Sequence, residues 1–468
     1  MIEIGQETQL FIDDYLLERR DNSVRHLHQP RKHEANPILR PDRPWEGPSV
    51  ILYGTVLYDQ PARLFKMWYQ TYARHERPPE NTWICYATSM DGIVWEKPDL
   101  GLVESRRSRA NNIILPHLHD APHLDSPSLL CDPRDPEESR RYKLVVYAVP
   151  NQGRGLYAAF SPDGVHWRWR EAPLLPDLGD RTNIWYHHEQ RKYKVWTRLR
   201  GYSKRVVAES DSEDFEHWSP QRLVLEPDRE DPSDTEFYSA TAFKYQSIYL
   251  GFLEVFHVNA RRLDTQLICS RDGVNWRRAA DRQVFLPNGP EGEFDCWWAF
   301  PASNAPIRVG DELWIWYSGR ATPHGAPQPP PPGYFSEIGL AKMPLDRFVS
   351  LDAEGQEATV TTKPLVFRTG SRLEVNADTT GRSSPAAANF ARQGGEVAAW
   401  LKVEVLDEAG HGIPGYSRDD CDPITGDSLA HPVTWHGRAD IATLAGKPLR
   451  LQFLMYGTRL YGFRIAAS

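Results

Sequence analysis

The five cysteines, Cys85, Cys131, Cys269, Cys296 and Cys421, are odd in number and scattered over 468 residues, with no CxxC pair among them. Such spacing makes neither a disulfide framework nor a zinc knot, and it fits a reduced compartment. No run approaches the roughly 18 apolar residues that a membrane span needs. The first residues, MIEIGQETQLFIDDYLLERR, lack a basic start followed by an apolar stretch and a small-residue cleavage site. The expectation is a soluble, cytoplasmic protein. Lys and Arg number 55 against 63 Asp and Glu, a formal charge of −8 with no basic run. The electrostatic footprint of a nucleic-acid binder is therefore missing, and an acidic surface is repelled by anionic membranes.

Aromatic residues, by contrast, are plentiful at 11%, with 16 Trp and 20 Tyr, a composition that suits β-sheets and sugar-binding surfaces alike. The chain also repeats itself. Four copies of one turn occur: Ser89-Met90-Asp91-Gly92 with Trp95, Ser161-Pro162-Asp163-Gly164 with Trp167, Ser212-Glu213-Asp214-Phe215 with Trp218, and Ser270-Arg271-Asp272-Gly273 with Trp276. The serines of this SxD(G/F)xxW consensus lie 72, 51 and 58 residues apart, and each copy sits between short apolar strands. One small antiparallel sheet is therefore made several times. Asp accepts bonds from the amides of its own turn, Gly takes a positive φ cheaply, and Trp plugs the gap between adjacent sheets. These Asp and Trp residues are read as structural, and the motif counts sheets.

The strands around the motif repeat as well. A first unit runs through 54–59, 64–69 and 83–87; a second opens with 129–132 and 142–147, a third with 183–186 and 193–197, and a fourth with 240–243 and 248–252. A fifth appears in 302–307, 312–317 and 338–341, with its turn decayed to Met343-Pro344-Leu345-Asp346-Arg347-Phe348. Five units predict an all-β protein with a five-bladed β-propeller over residues 40–349. The proline run from Pro327 to Gly333 cannot join a ladder and reads as a stiff loop. Beyond about residue 350 the repeat stops. Alternation at Leu401/Val403/Val405, Leu449/Leu451/Phe453 and Tyr461/Phe463/Ile465 predicts a C-terminal β-sandwich over 350–468.

Residues 1–39 are expected to pack as an extra strand on the main domains, because Leu10-Phe11-Ile12 needs an apolar surface and has none locally. His26, His28 and His33 have no carboxylate partner in sequence and read as solvated rather than metal-bound. Asp419-Asp420-Cys421-Asp422-Pro423 groups three carboxylates without the fixed spacing of a calcium loop, so a solvated turn is the simpler reading.

Five units with SxDGxxW turns and a C-terminal sandwich resemble the five-bladed propeller glycosidases: the arabinanase and xylosidase, invertase and levanase, and neoagarobiose hydrolase families. The resemblance implies a glycoside hydrolase acting on a small carbohydrate or oligosaccharide. It implies no required cofactor, and a structural or funnel calcium is compatible with it. A homo-oligomer is compatible with the sequence too.

In a propeller, residues just before each inner strand ring a single funnel however far apart they lie in sequence. Asp125 lies seven residues before Asp132, and Asp180 seven before His187, so two carboxylates occupy equivalent places in neighbouring units. Glu46 precedes the first unit, Asp234 and Glu236 the fourth, and Glu293 and Asp295 the fifth. Glycoside hydrolysis needs one protonated and one ionised carboxyl at one bond. The catalytic candidates are therefore Asp125, Asp180, Glu46, Glu236 and Asp234. The substrate-binding candidates are Trp45, Arg181, His187, Arg198, Tyr238, Asp295, Trp297, Trp298 and Arg320. The arginines can hold an acid ionised or grip a sugar carboxylate. Blade order in the resembling arabinanases implies Glu46 as base, Asp125 as the acid that tunes pKa and Asp180 as general acid, with Asp234 or Glu236 as the substitute for Glu46. Two other readings stay open: a non-catalytic sugar-binding propeller, and a propeller phosphorylase using Arg181, His187, His188 and Arg198 to hold phosphate.

Overall fold

A computed structural model describes residues 1–72, 81–118, 121, 123–150, 153–327, 333–381 and 399–467. The chain is all-β: helix among the described residues is confined to three single 3-10 turns. Most of the proline run, residues 328–332, lies outside the described residues.

Five antiparallel sheets follow one another, the fourth and fifth continuous as one ten-stranded sheet through the parallel pairing of Leu263 with Trp298. Each begins with a leading strand, Val50–Asp59, Leu124–Cys131, Thr182–His187, Thr235–Tyr245 or Trp298–Pro301, that pairs with the next long strand. The fifth leading strand starts earlier than the expected 302–307. Trp298 to Pro301 pair with Tyr317 to Arg320, while Ser303 turns away to donate to the Gly54 carbonyl. The outermost strand of this sheet comes from the other end of the chain, where Arg31–Lys32 pairs with Lys342 and Ala341.

Side chains tie the leading strands in a circle where no backbone ladder joins them. Thr55 Oγ1 accepts from the Leu129 amide at 3.0 Å, and Ser128 Oγ accepts from the Ile184 amide at 3.0 Å. Asn183 Nδ2 donates to Ser239 Oγ at 2.7 Å, and Ser303 Oγ donates to the Gly54 carbonyl at 2.7 Å. Between the fourth and fifth strands the contact is aromatic, with Tyr238 and Trp298 edge-to-face at 5.0 Å. Short polar side chains suit these positions because they satisfy backbone groups that a buried strand cannot leave unpaired.

The repeated turn has the same geometry in all four copies. One carboxylate oxygen of Asp91, Asp163, Asp214 or Asp272 accepts two amides of its own turn at 2.8–2.9 Å. The fourth position is left-handed throughout: Gly92 φ 74°, Gly164 φ 83°, Phe215 φ 66° and Gly273 φ 66°. Glycine is needed where a neighbour crowds the turn, since a Cβ on Gly164 would lie 2.6 Å from Trp68 and one on Gly273 2.6 Å from His187. Those neighbours bond across the seam. Trp68 Nε1 donates to the Gly164 carbonyl at 2.7 Å, Trp316 Nε1 to that of Gly92 at 3.0 Å, and His187 Nε2 meets the Asp272 carbonyl at 2.8 Å. In the decayed fifth copy, Asp346 keeps the left-handed position at φ 67° and accepts from Tyr245 Oη and Gln246 Nε2.

The remaining strands form two further sheets. One contains Ala358–Thr362, Leu365–Phe367, Trp400–Asp407 and Leu449–Tyr456, and the other Val349–Ala353, Arg372–Thr379, Gly426–Pro432 and Arg459–Ala466. Leu401, Val403 and Phe453 of the first meet Val375, Phe463 and Ile465 of the second in one apolar core. The N-terminal segment joins both parts. Ile2–Ile4 and Leu17–Asp21 extend the first of these sheets, and Gln9–Leu10 and Ser23–Leu27 the second. Phe11 is buried in the C-terminal core, whereas Leu10 and Ile12 are buried with Phe243, Leu250 and Phe348 against the fourth and fifth sheets. Asp13, ion-paired with Arg271 and Arg277 of the fourth repeated turn, anchors the crossing.

The seam bonds generate a stability prediction. Trp68 is fully buried, so Trp68→Ala removes both a large ring and the donor to Gly164, at a cost of about 3–5 kcal/mol. Trp167→Ala, at a half-buried ring, costs less than half as much. Denaturant titration of the two variants checks the order.

Candidate active site

Where the leading strands begin, the circle opens into a cleft of about 260 Å³. Leu57, Cys131, Tyr186, Lys244 and Ser303, at or beyond the far ends of the same strands, line a second cavity of similar size. The two ends differ in character. The second cavity is mostly apolar, while the cleft gathers Asp125, Asp180, Arg198, Arg205, Arg320, His123 and His324 around tyrosines.

Bulges aim these groups. The ladder of the second sheet shifts register between Val145 and Tyr147, and Ser126 takes φ 56°, which sets Asp125 opposite Tyr147 at the cleft. Similar shifts fall between Ile51 and Thr55 and between Phe237 and Ser239, beside Tyr53 and Tyr238, which also line it. An extra residue in a strand re-aims a side chain at the expense of one ladder bond. Here the lost pairing is replaced: the Ser126 amide donates to Gln70 Oε1 at 2.9 Å.

The two carboxylates meet different surroundings. Asp125 accepts from Ser126 Oγ at 3.2 Å and faces His123 Nε2 at 3.2 Å. Asp180 is ion-paired with Arg198 Nη1. Burial pushes the Asp180 carboxyl up, but the Arg198 charge, its own backbone amide and the Arg205 charge outweigh burial and hold it below the usual carboxylate range. That setting opposes the proton-donor role expected from blade order.

Arg198 is itself held rigidly. Its Nε donates to the Tyr238 carbonyl at 3.0 Å, and its guanidinium lies 3.9 Å from the centre of the Tyr238 ring. Arg205 is ion-paired with Glu236 and also packs on Tyr238, at 5.4 Å. Arg320 lies 3.9 Å from the Phe335 ring and donates to Thr322 Oγ1 and the Pro323 carbonyl. Behind them His324 stacks on Trp298 at 5.4 Å, nearly parallel, and on the axis side Arg181 lies 4.2 Å from the Tyr53 ring.

Of the residues singled out from the sequence, Asp125, Asp180, Arg198, Tyr238 and Arg320 line the cleft. Glu236 reaches it through Arg205, and Trp298 backs Tyr238 and His324. The others serve elsewhere. Glu46 is fully buried and accepts from the Asp42 and Arg43 amides, from Tyr69 Oη at 2.7 Å and from Lys97 at 2.8 Å. Its bonds are taken up in capping a turn, so it is not brought to the cleft. Trp45 donates to Asn112, Asp234 accepts from the Asn259 amide, and Trp297 packs under Arg262. Asp295 is buried with Lys32 and Tyr317, and His187 lies in the seam against Tyr249. Arg181 is buried in an ion pair with Glu254, whose carboxyl burial pushes up despite that partner.

Sequence reasoning did not single out Gln70, Tyr72, His123, Arg205, His324 or Glu254. His123, two residues before Asp125, had a positional signal; Arg205 and His324 lie in connections that occupy no repeat position.

The ligating groups outside the cleft are also engaged. His26, Asp352 and Glu354 bring ligand atoms within 4.8 Å of one another, but Asp352 pairs with Arg459 Nε at 3.3 Å and His26 meets Glu354 at 2.8 Å. His28, expected to be solvated, is largely buried beside Tyr461, and burial lowers it to about 4. Asp420 accepts from Ser417 Oγ and faces His436, while Asp422 accepts from Thr434 Oγ1 and the Gly437 amide.

The Asp180 pair has a pH signature. A depressed carboxyl contributes stability that is present above the ordinary Asp value of 3.8 and is lost as pH falls through its lowered folded value. Arg198→Gln should move the Asp180 titration upward, as read by carboxyl carbon-13 NMR. An unchanged midpoint would remove Arg198 as the cause.

No protein-family profile and no curated protein sequence matches this chain. Solved structures do. A β-1,2-mannobiose phosphorylase from Listeria innocua aligns with a TM-score of 0.50 at 13% identity, over 69% of this chain and 98% of its own. A fructofuranosidase from Schwanniomyces occidentalis aligns at 0.46 and 12% identity, over 95% of this chain and 100% of its own. An N-acetylgalactosamine deacetylase from F. plautii aligns at 0.46 and 15% identity, over 70% and 96%. The likeness to the mannobiose phosphorylase is one of fold.

Proposed function

We propose that this chain is a carbohydrate-active enzyme that hydrolyses a glycosidic bond in the cleft. It would do so on a five-bladed β-propeller of residues 40–349 followed by a β-sandwich of residues 350–468. Five leading strands tied in a circle, each starting an antiparallel strand unit, support the architecture. The observation that carries the chemistry is the pair of carboxylates, from equivalent repeat positions, on one cleft in unlike electrostatic settings. Asp180, kept ionised by Arg198, is the carboxylate that activates water or attacks the anomeric carbon. Asp125, whose contacts are Ser126 Oγ and His123 rather than an arginine ion pair, is the proton donor to the leaving oxygen. This assignment departs from the blade order of the arabinanases, which makes Asp125 the acid that tunes pKa and Asp180 the general acid.

A second reading has its own support. Three arginines and two histidines around the cleft also suit a phosphorylase, in which phosphate takes the place of water. Turnover that requires inorganic phosphate would decide for it.

An aryl-glycoside screen, with furanosides included, identifies a substrate. Asp125→Asn should then lower turnover of natural glycosides by about 10²- to 10⁴-fold while sparing substrates whose activated aryl group leaves without a proton. Asp180→Asn should lower both. Binding of saccharides with no turnover of any would favour a non-catalytic sugar-binding propeller.

A further inference from the structure

We propose that Gln70 is a positioning residue: by bonding the backbone on both sides of Asp125, its carboxamide sets where the proton donor stands in the cleft. The proposal rests on the reading of Asp125 above and adds the group that aims it.

Gln70 is a polar residue in a buried seam. It follows Trp68 by two positions in Leu64–Thr71 and so faces the second sheet with it, yet it is only 1% exposed. A buried amide is costly unless both of its ends are bonded. Here Oε1 accepts from the Ser126 amide at 2.9 Å, and Nε2 donates to the Leu124 carbonyl at 3.3 Å. Those two residues flank Asp125.

The segment that Gln70 grips is strained. Ser126 and Pro127 stand opposite Val146 alone, and Ser126 is left-handed at φ 56°, a conformation that a serine keeps only when its surroundings impose it. Pro127 has no amide, which leaves the Ser126 amide as the donor of the bulge that needs a partner. Gln70 of the first sheet takes that amide, and Thr182 of the third donates its hydroxyl to the Ser126 carbonyl. Ser126 Oγ in turn donates to Asp125 Oδ1 at 3.2 Å. The acid is thereby aimed through a serine clamped from both neighbouring sheets, and Gln70 holds the chain on either side of it.

Gln70→Leu, assayed beside wild type and Asp125→Asn, tests the proposal. Loss of the carboxamide should lower kcat on natural glycosides by about 10- to 10²-fold with KM within about twofold, while sparing substrates with an activated aryl leaving group. Added to Asp125→Asn, it should cost natural glycosides little more. Equal loss on both substrate classes, as a purely structural glutamine would give, or a rise in KM alone, as a sugar-gripping one would give, overturns the proposal and leaves Asp125 as proton donor. Crystal structures supply a readout that needs no substrate. The Asp125 carboxylate should move by about 1 Å or more in Gln70→Leu, and a carboxylate that stays in place overturns the proposal. Gln70→Met, close in length, keeps the test open if Gln70→Leu fails to fold. Equal damage to both glycoside classes by Asp125→Asn, or no turnover by wild type, overturns the proton-donor reading and with it the catalytic role of Gln70.

Discussion

A backbone carbonyl in a tight turn that faces a neighbouring sheet has to be given a donor, and this requirement organises the first three-quarters of the chain. The Gly92 and Gly164 carbonyls accept from Trp95 and Trp167 of their own turns and also from Trp316 and Trp68 of other sheets, and the Asp272 carbonyl meets His187 of another. Each bond between sheets fixes how far one sheet turns relative to the next. Because Trp316 belongs to the fifth sheet and Gly92 to the first, the same interaction that spaces the sheets also closes the circle. The position of the cleft follows from that closure, since the leading strands start at the same end.

Within the cleft, charge is arranged for position more than for stability. Arg181 with Glu254, Arg198 with Asp180 and Arg205 with Glu236 form a chain of pairs from the buried axis outward. The first pair is buried, where desolvation offsets attraction, and the other two are partly exposed, where solvent screens them, so none contributes much net stability. Their effect here is to stop guanidinium groups from moving and to keep Asp180 ionised. The aromatic layer of Tyr238, Trp298, His324 and Phe256 provides the flat, stiff backing on which those cations rest.

The repeat made much of this legible in advance. SxDGxxW turns mark the sheets, and even the decayed fifth copy keeps its left-handed residue as Asp346. The equal offset of Asp125 and Asp180 from their strand ends was enough to expect them on one cleft, which both line. Glu46 shows where that reasoning fails: an acid at a similar place in the chain is consumed by the Asp42 and Arg43 amides and by Lys97. Offsets count residues and do not see local capping. Arg205 and His324 were invisible for the opposite reason, because they sit in connections of variable length that have no counterpart from sheet to sheet. The bulges that aim Asp125, Tyr53 and Tyr238 leave no mark in an alternating apolar pattern either. The N-terminal segment was expected on a single strand position, but Phe11 and its neighbours Leu10 and Ile12 point to opposite cores, a division that alternation alone does not assign.

A crystal of the Asp125→Asn variant, soaked with a mixture of neutral and acidic oligosaccharides, tests the central claim most directly, since binding persists where proton donation is removed. The account predicts a sugar ring in the cleft with its glycosidic oxygen facing residue 125 and its anomeric carbon facing Asp180. A saccharide bound instead at the opposite end of the circle, among Leu57, Tyr186 and Lys244, with the cleft empty, would contradict it.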